Sequence, residues 1–354
     1  MSADHASRSI TIEIFLQAQP TPAVSFSDIL LLVDVDTDDL GARILTINNP
    51  TEAAAAVVAG KITTGTKNIL TTMFSQAPRL KRVKLGQVDT AASETWATGY
   101  AACVAADPAV YGVCMLSRTA SDIAPLSNAI EAEGLRRLFV QSSLADWLTA
   151  SQPASFAAIT TNERTTVLYN SVDGAGHAEG YAAAYLAWNP DERSAPAALT
   201  VKGVTPPALT ETQRNFVVGN NCNVGLAYGS STFFVMDGVT LTGRPVYELT
   251  TADWLRSRAR EALADVKVQR SALGLKVPVN PAGQELCLAP LRRLGAQGLQ
   301  VGHFDDYSAD GEEITIADTA AKRLRMTVRA QTQTDAIFFD LDVYLSRDPI
   351  AAEA

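Results

Sequence analysis

Histidine is nearly missing from this chain: His5, His177 and His303 are all it has in 354 residues. Three scattered histidines do not make a metal centre of familiar spacing. Cysteine is almost as sparse. Cys103, Cys114, Cys222 and Cys287 stand far apart with no CxxC among them. In a chain this long they read as buried free thiols, with disulfides, including bridges between subunits, as the alternative. Positive charge is outnumbered too: the net charge is −9 and the pI is near 4.9. That balance argues against a nucleic-acid partner, which would need basic surface to displace counterions from phosphates. It argues equally against docking on anionic lipid. Long apolar runs are missing as well, none approaching the roughly 20 residues that span a bilayer. The opening MSADHASRS lacks the charged, apolar and small-residue order of a signal peptide, so synthesis and folding in a cytoplasm are expected.

Catalytic signatures are absent in the same way. The strand-like FSDILLLVD (26–34) runs into acids rather than into GxGxxG, and GxxxxGK[ST], GxSxG and HExxH do not occur. DGAGHAEG (173–180) sets glycines before a helix, where backbone amides can hold a phosphate; a helix-entry loop accounts for it equally well. No catalytic, cofactor-binding or metal-ligating residue is nominated, and no enzyme activity is expected.

What remains is an ordinary globular composition, 47% hydrophobic and 19% charged, at a length that suggests two compact domains. Strand-like segments at 26–34, 80–88, 110–117, 136–143 and 165–171 alternate with helical ones at 51–59, 65–76, 93–106, 120–134 and 177–188. This order implies a mostly parallel sheet covered by helices, with Thr51 capping the first helix. The Pro-, Ala- and charge-rich stretch 190–199 then marks a change of character. A capped helix follows at 209–218, glycine-punctuated hairpins at 223–248, and a long amphipathic helix at 251–273 closed by Gly274. The last helix, 282–298, is interrupted by Pro290.

Both ends carry strands of two-residue period. Ile10, Ile12, Ile14 and Leu16 share one face of ITIEIFLQ (10–17), which Pro20 and Pro22 then terminate. Ile337, Phe339, Leu341, Val343 and Leu345 share one face of AIFFDLDVYL (336–345). Asp340 and Asp342 on its other face read as a solvated edge rather than a metal site. An unpaired strand needs a partner, and an acidic, apolar-striped terminal strand suits addition to another sheet. An ordinary strand of the chain's own sheet explains residues 10–17 as well.

Four segments together resemble the tail-sheath proteins of contractile bacteriophages, particularly their short sheath-like family. They are FSQAPRLKRVKLGQ (74–87), VKGVTPPALTETQRNFVVGNNCNVGLAYG (201–229), TADWLRSRAREAL (251–263) and LKVPVNPAGQELCLAPL (275–291), in the family's own order. The chain departs from the pattern at Cys222, where an aromatic often stands, and at Val279-Asn280. The resemblance implies an α/β fold with an α+β C-terminal domain: an N-terminal exchange arm at 1–19, an α/β domain at 20–200, a sheath domain at 201–330 and an exchange strand with tail at 331–354. It further implies hexameric rings stacked on a tail tube, contraction that drives the tube through a host envelope, and terminal strands traded between subunits. The expected partners are further copies of the chain, the tube protein, and baseplate and terminator proteins, in a virion assembled in the host cytoplasm, with no cofactor. Lys81, Arg82 and Lys84, read as outward-facing, and Arg256, Arg258, Arg260 and Lys267 on the long helix are candidates for charged contacts with tube or subunit. A tube or baseplate protein is the first alternative, a small-molecule α/β enzyme the second.

Overall fold

The computed structural model describes residues 9–11, 14–15, 25–171, 176–196, 199–228, 232–235, 238–311, 324, 326–332, 338–340 and 343–344. The chain divides into two units that interleave in sequence: Val24–Asn189 with Ala195–Leu249, and Met1–Ala23 with Pro190–Ser194 and Thr250–Ala354.

Two terminal strands come first, β1 (Ser9–Thr11) and β2 (Ile14–Phe15), both in the second unit. The first unit then runs β3 (Ile29–Asp34), β4 (Ile44–Ile47), α1 (Pro50–Val58), α2 (Thr64–Phe74), β5 (Val83–Val88), α3 (Trp96–Ala106), β6 (Gly112–Met115), α4 (Ala120–Glu133), β7 (Arg137–Ser142), β8 (Thr165–Tyr169) and α5 (His177–Leu186). After it come β9 (Leu199–Val201), α6 (Glu211–Gly219), β10 (Asn223–Val224), β11 (Leu226–Tyr228) and β12 (Thr232–Val235). Seven strands make one sheet in the order β10-β8-β7-β6-β3-β5-β4, parallel throughout except for the antiparallel edge β4.

The continuous apolar run of β3 follows from its place at the middle of this sheet. A parallel strand covered on both faces must be apolar on both, and Ile29 to Val33 are all fully buried. From β5 the chain crosses over β3 to β6, so helices come to lie on both faces of a doubly wound sheet. The core joins Leu30, Leu32, Val113, Leu138 and Val167 of the strands to Tyr100, Ile123, Leu126 and Trp147 around them. At Gly99 a Cβ would stand 2.7 Å from Val88, so only glycine lets α3 lie this close on β5. All ten residues of α5 are buried, including His177 and Glu179 among its small and aromatic side chains. A smaller antiparallel sheet, β11-β12-β9, completes the unit.

Three sequence expectations shift here. The capping residue of α1 is Asn49, whose side chain accepts from the Glu52 amide; Pro50 then takes the first helical position, where its missing N–H is not needed. Helix α3 begins at Trp96 rather than Ser93, because Thr95 and Thr98 form a reciprocal capping box while Ser93 takes a positive φ of 66°. The domain break expected at residue 200 is absent, because β10 pairs with β8 in register Asn223↔Leu168 and draws the segment up to Leu249 into the first unit.

Helix α7 (Val246–Ala272) carries the chain into the second unit, which continues with α8 (Pro281–Gln300), β13 (Phe304–Gly311), β14 (Met326–Thr332), β15 (Phe338–Asp340) and β16 (Val343–Tyr344). Gly274, at φ 68°, ends α7 in the left-handed conformation that glycine favours. Helix α8 runs unbroken through Pro290, contrary to the expected interruption, with its glycine-lined face packed on β13. A Cβ at Gly295 would lie 1.9 Å from the Tyr307 ring, and one at Gly298 2.3 Å from Phe304. The Tyr307 hydroxyl donates to the Leu291 carbonyl at 2.8 Å, fixing the hairpin β13–β14 on the helix.

Candidate assembly interfaces

The ends of the chain meet. β1 pairs in parallel with β15, Ser9 opposite Phe338 and Thr11 opposite Asp340, and β2 pairs in parallel with β16, Ile14 opposite Val343. The step from Ser9 to Ile14 equals that from Phe338 to Val343, so both segments keep a single register. Within that register Ile10 stands opposite Phe339, and Ile14 opposite Val343. At these two described positions a member of one apolar stripe is paired with a member of the other. Ile12, Leu16, Ile337, Leu341 and Leu345 lie outside the described residues.

The charged candidates part company. Lys84, expected to face outward, is buried, and that expectation is overturned. β5 is buried on both faces over Val83 to Gly86, with Gln87 partly exposed further on. The Lys84 ammonium sits 2.8 Å from Asp28 and 2.6 Å from Asp107. Arg82 is partly exposed but holds the same Asp28 carboxylate through Nε at 2.9 Å and Nη2 at 2.7 Å. Burial pushes the Asp28 carboxyl up; the hydrogen bonds and charges of Arg82 and Lys84 outweigh it and hold the group below its ordinary range. Lys81 is exposed.

On α7, Arg258 grips Asp191 through Nε and Nη2 at 2.7 and 2.6 Å and meets Glu261 at 2.6 Å. It serves the interior of its own unit, where Asp191 also accepts from the Trp254 indole at 2.9 Å. Arg256 and Arg260 are half-buried and one turn apart, while Lys267 is exposed. Burial first, and the neighbouring charge of Arg256 second, lower the pKa of Arg260.

The sequence reading missed a further charge pair. Glu179 lies in the first turn of α5 with no solvent exposure, and Arg118 after β6 is 11% exposed; Nη2 stands 2.7 Å from Oε1. The approach is off the hydrogen-bonding angle, and neither oxygen of Glu179 has a hydrogen-bond partner among the described residues. Charge, rather than an aligned hydrogen bond, holds the pair. The one available signal was a lone acid in an otherwise apolar helix.

The four cysteines are free and buried, as expected. Burial pushes the Cys103 and Cys287 thiols up to about 11, and Cys114 and Cys222 well above their ordinary value. Among the described residues no group of His, Cys, Asp and Glu could hold a metal ion, and no helix is long and apolar enough to cross a membrane.

The fold combines a doubly wound α/β unit, a helix-and-hairpin unit and a ladder joining the two chain ends. Its solved neighbours are sheath proteins of contractile machines. The sheath tail protein of Desulfitobacterium hafniense superposes with a TM-score of 0.63 at 9% identity, covering 94% of this chain and 99% of that one. The helical sheath of the anti-feeding prophage in its contracted state covers all of this chain and 96% of its own, at TM-score 0.58 and 11% identity. The PVC sheath complex of an extracellular contractile injection system, also contracted, gives 0.56 at 13% identity over 95% and 97%. No protein-family profile and no curated protein matches the sequence.

Proposed function

We propose that this chain is the sheath subunit of a contractile tail or tail-like injection machine, structural rather than catalytic. The observation that carries the reading is fold likeness over nearly the full length of both chains, to sheaths solved as helical assemblies and in the contracted state. In its narrower form the machine is a phage tail, assembled in the host cytoplasm and carried on the virion. Subunits stack there as hexameric rings on a tail tube between baseplate and terminator, and contraction drives the tube through the host envelope during genome ejection.

The strand-bearing ends, 1–19 and 331–354, act as exchange arms that keep neighbouring subunits connected while their bodies slide. The parallel pairing of β1 with β15 and of β2 with β16 supports this role, since it shows the two ends to be complementary partners. Lys81, Arg256, Arg260 and Lys267 are the remaining candidates for contact with an acidic tube or subunit surface. Such charge pairs suit a sliding assembly because they can be remade at a new register.

Negative-stain microscopy of the purified protein, raised stepwise in concentration, tests the reading. Tubes or stacked rings are expected. A species that stays strictly monomeric at every concentration, with or without a preformed tube, would overturn it.

A further inference from the structure

We infer that the ladder joining the chain's own ends is a self-capped form of the subunit, closed in dilute solution, which must open before a second copy can be engaged. The inference rests on the exchange-arm reading above and adds to it a control on assembly.

Three observations carry it. First, the ladder is intramolecular and lies within one unit: Ser9 to Thr11 face Phe338 to Asp340, and Ile14 and Phe15 face Val343 and Tyr344. Second, it keeps one register along both segments, with Ile10 opposite Phe339 and Ile14 opposite Val343. The N-terminal strand of a second copy would present the same backbone donors and acceptors at the same positions. Exchange therefore swaps the copy that supplies the strand without changing the bonds made. Third, among the described residues the ladder is two strands wide, since β1-β15 and β2-β16 each form a sheet of two. Two-stranded pairings are marginal by themselves in water, so this one is poised to open.

Because the bonds are equivalent, concentration decides between the two forms. A partner tethered to the same chain acts at an effective concentration on the order of millimolar. A free second copy at micromolar concentration is thus disfavoured by about a thousandfold for a single exchange. Isolated subunits stay closed, and exchange wins only where a ring or a growing end offers several contacts at once. Assembly should accordingly show a lag that preformed ends abolish.

The test uses the full-length I10C/F339C variant, with I14C/V343C as a second pair one ladder segment away. The four native thiols are buried and spared by mild oxidation. Oxidised in dilute solution, either pair should bridge within one chain and give a monomer on a non-reducing gel. That monomer should fail to assemble and should regain assembly when reduced. Oxidised after assembly, the same pairs should give covalent multimers. Failure of both pairs to bridge in dilute protein, or bridged monomers that assemble as fast as reduced ones, would overturn self-capping. If reduced protein never forms tubes while the monomer still bridges, the sheath reading fails and the ladder stands.

Discussion

Replacing Arg118 by Met removes, among the described residues, the counterion of a carboxylate that has no solvent to turn to. Glu179 is fully buried, its nearest charge is Arg118 at 2.7 Å, and its oxygens accept no hydrogen bond among the described residues. Stripping one partner from a buried ion pair costs about 3–5 kcal/mol, because the other charge stays behind uncompensated. Glu179 sits in the first turn of α5, where the positive end of the helix dipole gives back about 0.3–1 kcal/mol. The expected loss for R118M is therefore about 2–4 kcal/mol. E179M should cost less, because Arg118 keeps some exposure and donates to the Met115 carbonyl at 3.0 Å. The double variant R118M/E179M buries no charge and should recover most of the loss, a coupling of about 2 kcal/mol or more. Urea unfolding of dilute protein at pH 7.5, followed by tryptophan fluorescence, measures all four corners of the cycle. An R118M loss below about 1 kcal/mol, or a double variant as unstable as the two single losses added together, would refute the reasoning.

The Asp28 network makes an asymmetric prediction. D28A takes a carboxylate shared by two cations, leaving buried Lys84 with the part-exposed Asp107 alone, and should cost about 2–4 kcal/mol, whereas K84M leaves Asp28 with Arg82 and should cost about 1–2 kcal/mol. K81A, on the surface, should stay within about 0.5 kcal/mol and show its effect, if any, in assembly; equal losses for D28A and K84M would contradict the geometry. His177 and His303 are held neutral because burial, the largest influence on each, lowers them from the ordinary 6.5. The unfolded chain takes protons at that value while the folded one resists. Their contribution is therefore complete above pH 6.5 and lost as pH falls through the lowered folded values. Unfolding free energy measured from pH 7.5 down to 5.5 should decline, and a flat or rising profile counts against the burial. Iodoacetamide at pH 8 should label none of the four cysteines until urea unfolds the chain, since burial raises every thiol; mass spectrometry of the native protein reads this directly.

How far the sequence could be read depends on whether a feature is set locally. β3 and β6 were legible because strands buried on both faces are written as apolar runs, and β7 and β8 because each keeps a short apolar centre, Leu138 to Val140 and Val167 to Leu168. Helix α6 was legible because Thr210 and Gln213 form a capping box three residues apart. The edge strand β4 escaped notice: four residues, three of them at least partly exposed, carry little pattern of their own. The break expected near residue 200 failed for a nonlocal reason. A change in composition records what the chain is made of, whereas the division records the pairing of two-residue β10 with β8, which lies more than fifty positions away. The charge sites went the same way. Lys84 and Arg82 looked like a basic surface because neighbours in sequence share their sign. Their partners, Asp28 and Asp107, come from other parts of the chain. Of the terminal strands, the pattern gave the stripes but not their match, since phase between two strands exists only once they are paired.

If the ends are exchange arms as proposed, the same match lets one chain serve both as a free subunit and as a lattice element. A strand with open edges is a hazard in a free protein, and covering the edge is the general remedy. Here the cover is the complementary end of the same molecule, joined in the register an exchanged neighbour would use. Protection of the free subunit and connection of the assembled one then draw on the same hydrogen bonds. The choice between them falls to concentration and to the number of contacts offered at once. Strengthening the ladder would not by itself favour assembly, because it would stabilise the closed and exchanged forms alike. What tips the balance must come from elsewhere in the subunit. Exposed Lys81 and Lys267 are the natural places to look, because their charges are not absorbed into the interior as that of Lys84 is.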